Sequence, residues 1–329
     1  MTARIAVMKN FPKNEEEFLV RFGTEDNCRR YLFDLRWPEG FVCPVCSGRT
    51  ARVNKKNFIV CTGCQAQISL TSGTILHGTK KRLALWFRAI WWICTHQKGG
   101  SARELQQYLG LGSYQTAWVW FQKLRRAMSL SEGKSCGGRV EMGQGMICDR
   151  ERDGKDYSPY ECAKVLAAGE VVASAPFGLG RTRISLVPDF SRSTISGFLR
   201  ENIEQSSTIV TTEDLESSTI ESLGYGHEVI RSVDVRDDLT RGFPPHVASL
   251  IGDLASWLIR THKGGVKKKH LQQYIDEYVF RHSMNLGESP VETFNRILKG
   301  GVEGEATPYW RLVGKDRPQS SRSREKGHE

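Results

Sequence analysis

The sequence has no hydrophobic run long enough to cross a bilayer. Its most apolar helical candidate, Leu83 to Cys94, is too short and contains Arg88, so it reads as a buried core helix. Met1 to Glu17 lacks the continuous apolar centre of a secretory signal. An even-numbered cysteine framework is missing too. Of nine cysteines, four have metal-ligand spacing, and Cys28, Cys94, Cys136, Cys148 and Cys162 are scattered. That usage suits a reducing compartment, so a cytoplasmic (bacterial, nucleoid-associated) location is the expectation. Acids are scarce in one stretch. Residues 75–135 hold ten Lys/Arg and only Glu104 and Glu132, which leaves +8 of the chain's +10 there. Such a concentration points to a polyanion, most often nucleic acid, with a solvated helix surface as the bland alternative.

The 329 residues, 39% of them hydrophobic, suffice for two or three domains. Residues 13–36 have helical apolar spacing, ended by Trp37-Pro38-Glu39-Gly40. Cys43-Pro-Val-Cys46 and Cys61-Thr-Gly-Cys64 follow, separated by a segment sized for a short hairpin. Two such knuckles supply the four thiolates of a tetrahedral structural Zn²⁺, whose binding contributes folding free energy to a segment too small for its own core. Redox-active or iron-binding pairs are the competing reading, though no thioredoxin-like βαβ pattern accompanies them. Residues 81–128 then read as three helices. The second is capped by Ser101 and ended by Gly110, and the third begins near Tyr114. The last two form a candidate helix-turn-helix, with Trp118, Phe121 and Leu124 inward and Tyr114, Gln115, Gln122, Lys123 and Arg126 outward. An ordinary helical hairpin is the alternative.

Beyond a Ser/Gly-rich linker at Ser129–Gly138 the pattern changes to strands at Arg139–Met142, Ala163–Ala173 and Thr182–Val187. A helix at Ser193–Glu204, strands at Ser207–Thr212 and His227–Arg231, and three late helices follow. This order predicts a mixed α/β (α+β) layered core. The division expected is a helical segment at 1–40, the cysteine module at 41–72, a helix-turn-helix DNA-binding region at 73–130, the core at 136–300 and a mostly disordered tail at 301–329.

Several long stretches resemble the zinc-ribbon bacterial insertion-sequence transposases related to Merlin elements. They include Gly40-Phe41-Val42-Cys43-Pro44, Thr71 to Thr79, Leu109 to Met128, Leu186-Val187-Pro188-Asp189, and the run from Lys269-His270-Leu271-Gln272 to Phe280-Arg281. The resemblance implies a ribonuclease-H-like core of DDE type, in which acids on adjacent strands and a late helix hold two divalent metals for in-line attack on DNA phosphorus. It also implies double-stranded DNA as partner and a homodimer or larger assembly.

Carried over residue by residue, the first acid falls on Gly143, the second on Thr212 and the third on Asp253. The catalytic triad is thus degenerate. Asp214 is a candidate substitute because alternation returns it to the Thr212 face, and Glu141 shares the parity of Gly143. Expected sites are therefore Cys43, Cys46, Cys61 and Cys64 for structural zinc, Asp253 and Asp214 as catalytic-position acids, and Lys123, Arg125 and Arg126 on DNA. Mg²⁺ or Mn²⁺ is expected only of an active enzyme. Three readings remain at this stage: a DNA-binding transposase descendant with impaired catalysis, an active transposase with a rebuilt acidic site, and a non-catalytic regulator or adaptor.

Overall fold

The computed structural model describes residues 12–133, 135–147, 162–212, 217–230, 242–262, 266–306 and 312. The expected single helix over 13–36 is two helices, α1 (Glu15–Phe22) and α2 (Glu25–Arg36). The break has a local cause. Thr24 adopts extended backbone and its hydroxyl accepts from Asn27 N, which starts a new helix. Strands β1 (Ala51–Val53), β2 (Ile59–Cys61) and β3 (Gln67–Ile68) form a small antiparallel sheet. It is tied to α2 by Arg36, whose guanidinium donates to the carbonyls of Leu70 and Ser72 at 2.5 and 2.7 Å.

Helices α3 (Leu83–Thr95), α4 (Ala102–Leu109) and α5 (Tyr114–Ser131) follow. The caps of α4 are those expected. Ser101 and Glu104 form a reciprocal capping box, and Gly110, at φ 63°, closes α4 in the left-handed conformation that glycine tolerates.

The second half is built on a five-stranded mixed sheet. Its strands are β4 (Arg139–Ile147), β5 (Ala163–Val171), β6 (Leu179–Leu186), β7 (Thr208–Thr211) and β8 (Gly226–Val229), in the spatial order β6-β5-β4-β7-β8. β4 is central, antiparallel to β5 and parallel to β7. Alternation along β4 gives the sheet two faces. Val140 and Met142 pack with Ile195, Phe198 and Leu199 of α6 (Arg192–Asn202). On the other face Ile147, Val165 and Ala167 meet α8 (Pro245–His262) and α9 (Leu271–Met284), which come after α7 (Ser217–Ser222). β4 runs five residues past the predicted Met142.

Helix α10 (Pro290–Glu303) passes the predicted end at Leu298 and packs against α3 and α5, not against the sheet. Phe280, Met284, Phe294, Ile297 and Leu298 thus belong to the same core as the N-terminal helices and the cysteine module. The Phe294 ring lies 5.6 Å from those of Phe22 and Phe87. Among the described residues no helix is long and apolar enough to cross a membrane. Seven cysteines are free, but Cys162 is disulfide-bonded, which departs from the expectation of unpaired thiols.

Candidate metal centre, acid positions and cleft

Cys43 and Cys46 sit on one knuckle and Cys61 and Cys64 on the other. Each knuckle is closed by a backbone bond, Ser47 N to Cys43 O at 2.9 Å and Gln65 N to Cys61 O at 3.0 Å, with Ser47 and Gln65 in the left-handed region. The Sγ–Sγ separations are 3.7 Å for Cys43–Cys64 and 3.6 Å for Cys46–Cys61, and all four sulfurs lie within 4.8 Å of one another. A tetrahedron with Zn–S bonds of about 2.3 Å has S–S edges of about 3.8 Å. The quartet therefore fits structural zinc. Among the described residues it is the sole group of three or more potential ligands gathered in this way.

The acid positions look different. The parallel register pairs Glu141 with Val210, so two residues on, Gly143 stands beside Thr212. Both meet the same backbone. Thr212 is buried and its hydroxyl donates to Gly242 O at 3.3 Å, while Gln144 N donates to that carbonyl at 3.4 Å. A Cβ added at Gly143 would lie 2.6 Å from Gly242 O and from Phe243 Cδ1. One added at Gly145 would lie 2.3 Å from Phe243 Cε2. The Phe243 ring, 3% exposed, thus covers two glycines on one face of β4. Backbone and an aromatic ring fill the space where a metal-binding carboxylate is expected.

Glu141 faces the same side, as its parity predicts, and is 5% exposed. Its carboxylate is already engaged. One oxygen accepts from His246 N and Val247 N at 2.9 and 3.1 Å, and the other lies 2.6 Å from His246 Nδ1. It caps the start of α8, where unpaired N–H groups and the helix dipole favour negative charge.

Asp253 lies seven residues beyond His246 on α8, about 10 Å along the axis. Phe243 covers positions 143 and 145 while Val247 sits at 141, so the helix leads Asp253 away from Gly143. Its carboxylate accepts from Tyr278 Oη at 2.8 Å and pairs with Arg260 at 3.2 Å. Asp214, the candidate substitute, lies outside the described residues. Divalent Mg²⁺ or Mn²⁺ wants several oxygen ligands converging on one point. Positions 143, 212 and 253 do not provide that, so the described residues do not fit a catalytic metal pair.

The DNA-contact expectations on α5 need a correction. Arg125 is 1% exposed. It donates to Glu277 at 2.6 Å and lies over the rings of Phe121 and Tyr274. Glu277 also receives Arg281, whose Nη1 donates to His96 O at 2.6 Å. Burial alone would raise the Glu277 carboxyl, but the two guanidinium groups bring it below the usual range. Gln122 is buried as well. Lys123 and Arg126 are half-buried, and burial lowers the Lys123 ammonium. The cause is tertiary. α9 and α10 cover the second half of α5, leaving its first turn, with Tyr114 and Gln115, at the surface.

That turn opens onto a feature the sequence did not reveal, a cleft of about 1330 Å³ between α4–α5 and the α8–α9 pair. Trp257 Nε1 donates to Lys98 O at 3.0 Å across its back. Asp253, Arg260, Arg103, Tyr114, Trp118 and Phe177 are among its lining residues. Trp118, expected in the core, is half-buried there. The missed Phe243 contact did leave a trace. Two glycines spaced by two in a strand place both gaps on one face, a sign of close approach by another group. Nothing local pointed to residue 243 as that group.

Residues 138–283 match the ISXO2-like transposase domain, and residues 23–67 match the transposase zinc-ribbon domain. No curated protein and no solved structure matches the chain. The first match spans the mixed sheet with α8 and most of α9, and the second spans the cysteine quartet. With the ribbon preceding the transposase domain, the chain carries the two domains of a zinc-ribbon insertion-sequence transposase.

Proposed function

We propose that this protein binds double-stranded DNA as a transposase descendant and that its metal-dependent strand chemistry is impaired. The observation that carries this reading is the Gly242-Phe243 segment seated over Gly143 and against Thr212. In-line phosphoryl transfer needs clustered carboxylates to place the metals that stabilise developing charge. Here one position has no side chain, one has a hydroxyl that donates to a carbonyl, and Asp253 is paired with Arg260. DNA binding is supported by the family, the zinc ribbon and the +8 charge of residues 75–135. Duplex contacts are assigned to the ribbon surface and the half-buried Lys123 and Arg126, in a cytoplasmic homodimer.

A combined shift and nicking assay tests the reading. Zinc-loaded protein is mixed with DNA spanning the flanks of its own gene, with and without Mn²⁺, beside Asp253→Ala. The expected result is a salt-sensitive shift with no nicks. Mn²⁺-dependent nicks that disappear in Asp253→Ala would overturn it in favour of a rebuilt acidic site.

A further inference from the structure

The cleft between α4–α5 and α8–α9 combines features that a duplex-binding surface does not require. Lys98 and Arg103 on one wall make no ion pair among the described residues, and Arg260 stands on the other wall. Tyr114 is 54% and Phe177 42% exposed, and the half-buried Trp118 lines the α5 wall. Arg125 Nη1 is buried without a hydrogen-bond partner, although Nε of that side chain donates to Glu277. Exposed cations and aromatic faces with an unsatisfied buried donor between them suit a ligand with alternating phosphates and flat rings.

Size narrows the choice. Pockets for drug-sized ligands span roughly 300–1,000 Å³. A cleft of about 1330 Å³ has room for a few nucleotides of one strand. Stacking on aromatic side chains tolerates any base, and Lys/Arg groups follow the backbone.

We propose that this cleft is a binding site for an unpaired DNA strand, separate from the surface that holds duplex. The proposal rests on the DNA-binding reading above. Tyr114 and Phe177 supply stacking faces, while Lys98, Arg103 and Arg260 hold phosphates. Asp253 lies among these cations and pairs with Arg260 on the same helix.

The test measures fluorescence anisotropy of a labelled single strand of about twelve nucleotides, a length within the usual site sizes, and of the same-sequence duplex. Wild type is compared with Tyr114→Ala, Phe177→Asn and Arg103→Glu. The aromatic sites are exposed, and asparagine tolerates the φ of 56° at position 177. Thermal melts identify any variant that fails to fold, and the remaining variants then decide. The expected result is about a tenfold loss of single-strand affinity for each aromatic variant, with duplex affinity changed less than about twofold. Arg103→Glu should also flatten the salt dependence of single-strand binding. Equal losses for strand and duplex would overturn the proposal. Wild type that binds duplex but not single strand would overturn it while leaving the DNA-binding reading intact. Binding of neither would overturn both.

Discussion

Gly143 shows how one missing side chain can be matched by a distant one. A glycine in a central strand normally weakens it, but here an aromatic ring covers the gap at 143 and again at 145. Placing at 143 the acid that the resemblance implies is therefore not a repair. In Gly143→Asp the new Cβ alone would sit 2.6 Å from a carbonyl oxygen and a ring carbon. Overpacking a core typically costs about 1–3 kcal/mol, and a buried unpaired carboxylate adds to that. The expected outcome is a melting temperature lower by several degrees and no stabilisation by Mn²⁺. A rise in melting temperature on adding Mn²⁺ to Gly143→Asp would show that the position still opens to metal.

At the scale of elements, legibility followed locality. The caps at Ser101 and Gly110 were readable because each acts within a few residues of itself. The cysteine quartet was readable for the same reason, since two short spacings fix four sulfurs. The outward face of α5 was not. Its periodicity cannot show that Glu277, 152 residues away, will take Arg125 into the interior. The fold class and strand positions survived because period-two patterning is strong, whereas the Phe243 contact depends on a tertiary approach that no window contains.

Two predictions belong at this scale. Arg125→Ala removes one partner of a buried Arg–Glu–Arg group and should cost about 3–5 kcal/mol in urea unfolding, whereas Tyr114→Ala should change stability by less than about 0.5 kcal/mol. Equal effects would contradict the burial assigned to α5. Chelation of zinc should unfold the segment 41–72, and because Arg36 ties that segment to α2, it should also lower the helical melting transition seen by circular dichroism. An unchanged melt after complete metal removal would exclude a structural role for zinc.

For the whole molecule, the pH response sums over buried groups. Burial lowers His262 to about 4 and also lowers His270 and His282. The unfolded chain, with histidines near 6.5, binds more protons below that pH, so stability falls as pH drops from about 6.5 toward 4. Glu277 acts in the same sense at lower pH. Its folded carboxyl is depressed, so its contribution is present above the unfolded value of about 4.3 and is lost as pH falls through the folded one. Urea midpoints measured from pH 7 to 4 should decline steadily, and His262→Gln should flatten the upper part of that decline. A flat profile in the parent protein would contradict the buried neutral histidines.

The contribution of Phe280, Phe294, Ile297 and Leu298 to the N-terminal core bears on how the chain is made. A ribosome adds roughly 5–20 residues per second. After Met128 emerges, the nascent helices wait on the order of ten to thirty seconds for α10. During that interval the Phe18–Phe22–Phe87 surface that will receive Phe294 stands open. A message truncated before α10 would accordingly release a sticky, chaperone-dependent fragment and not a small autonomous DNA-binding domain.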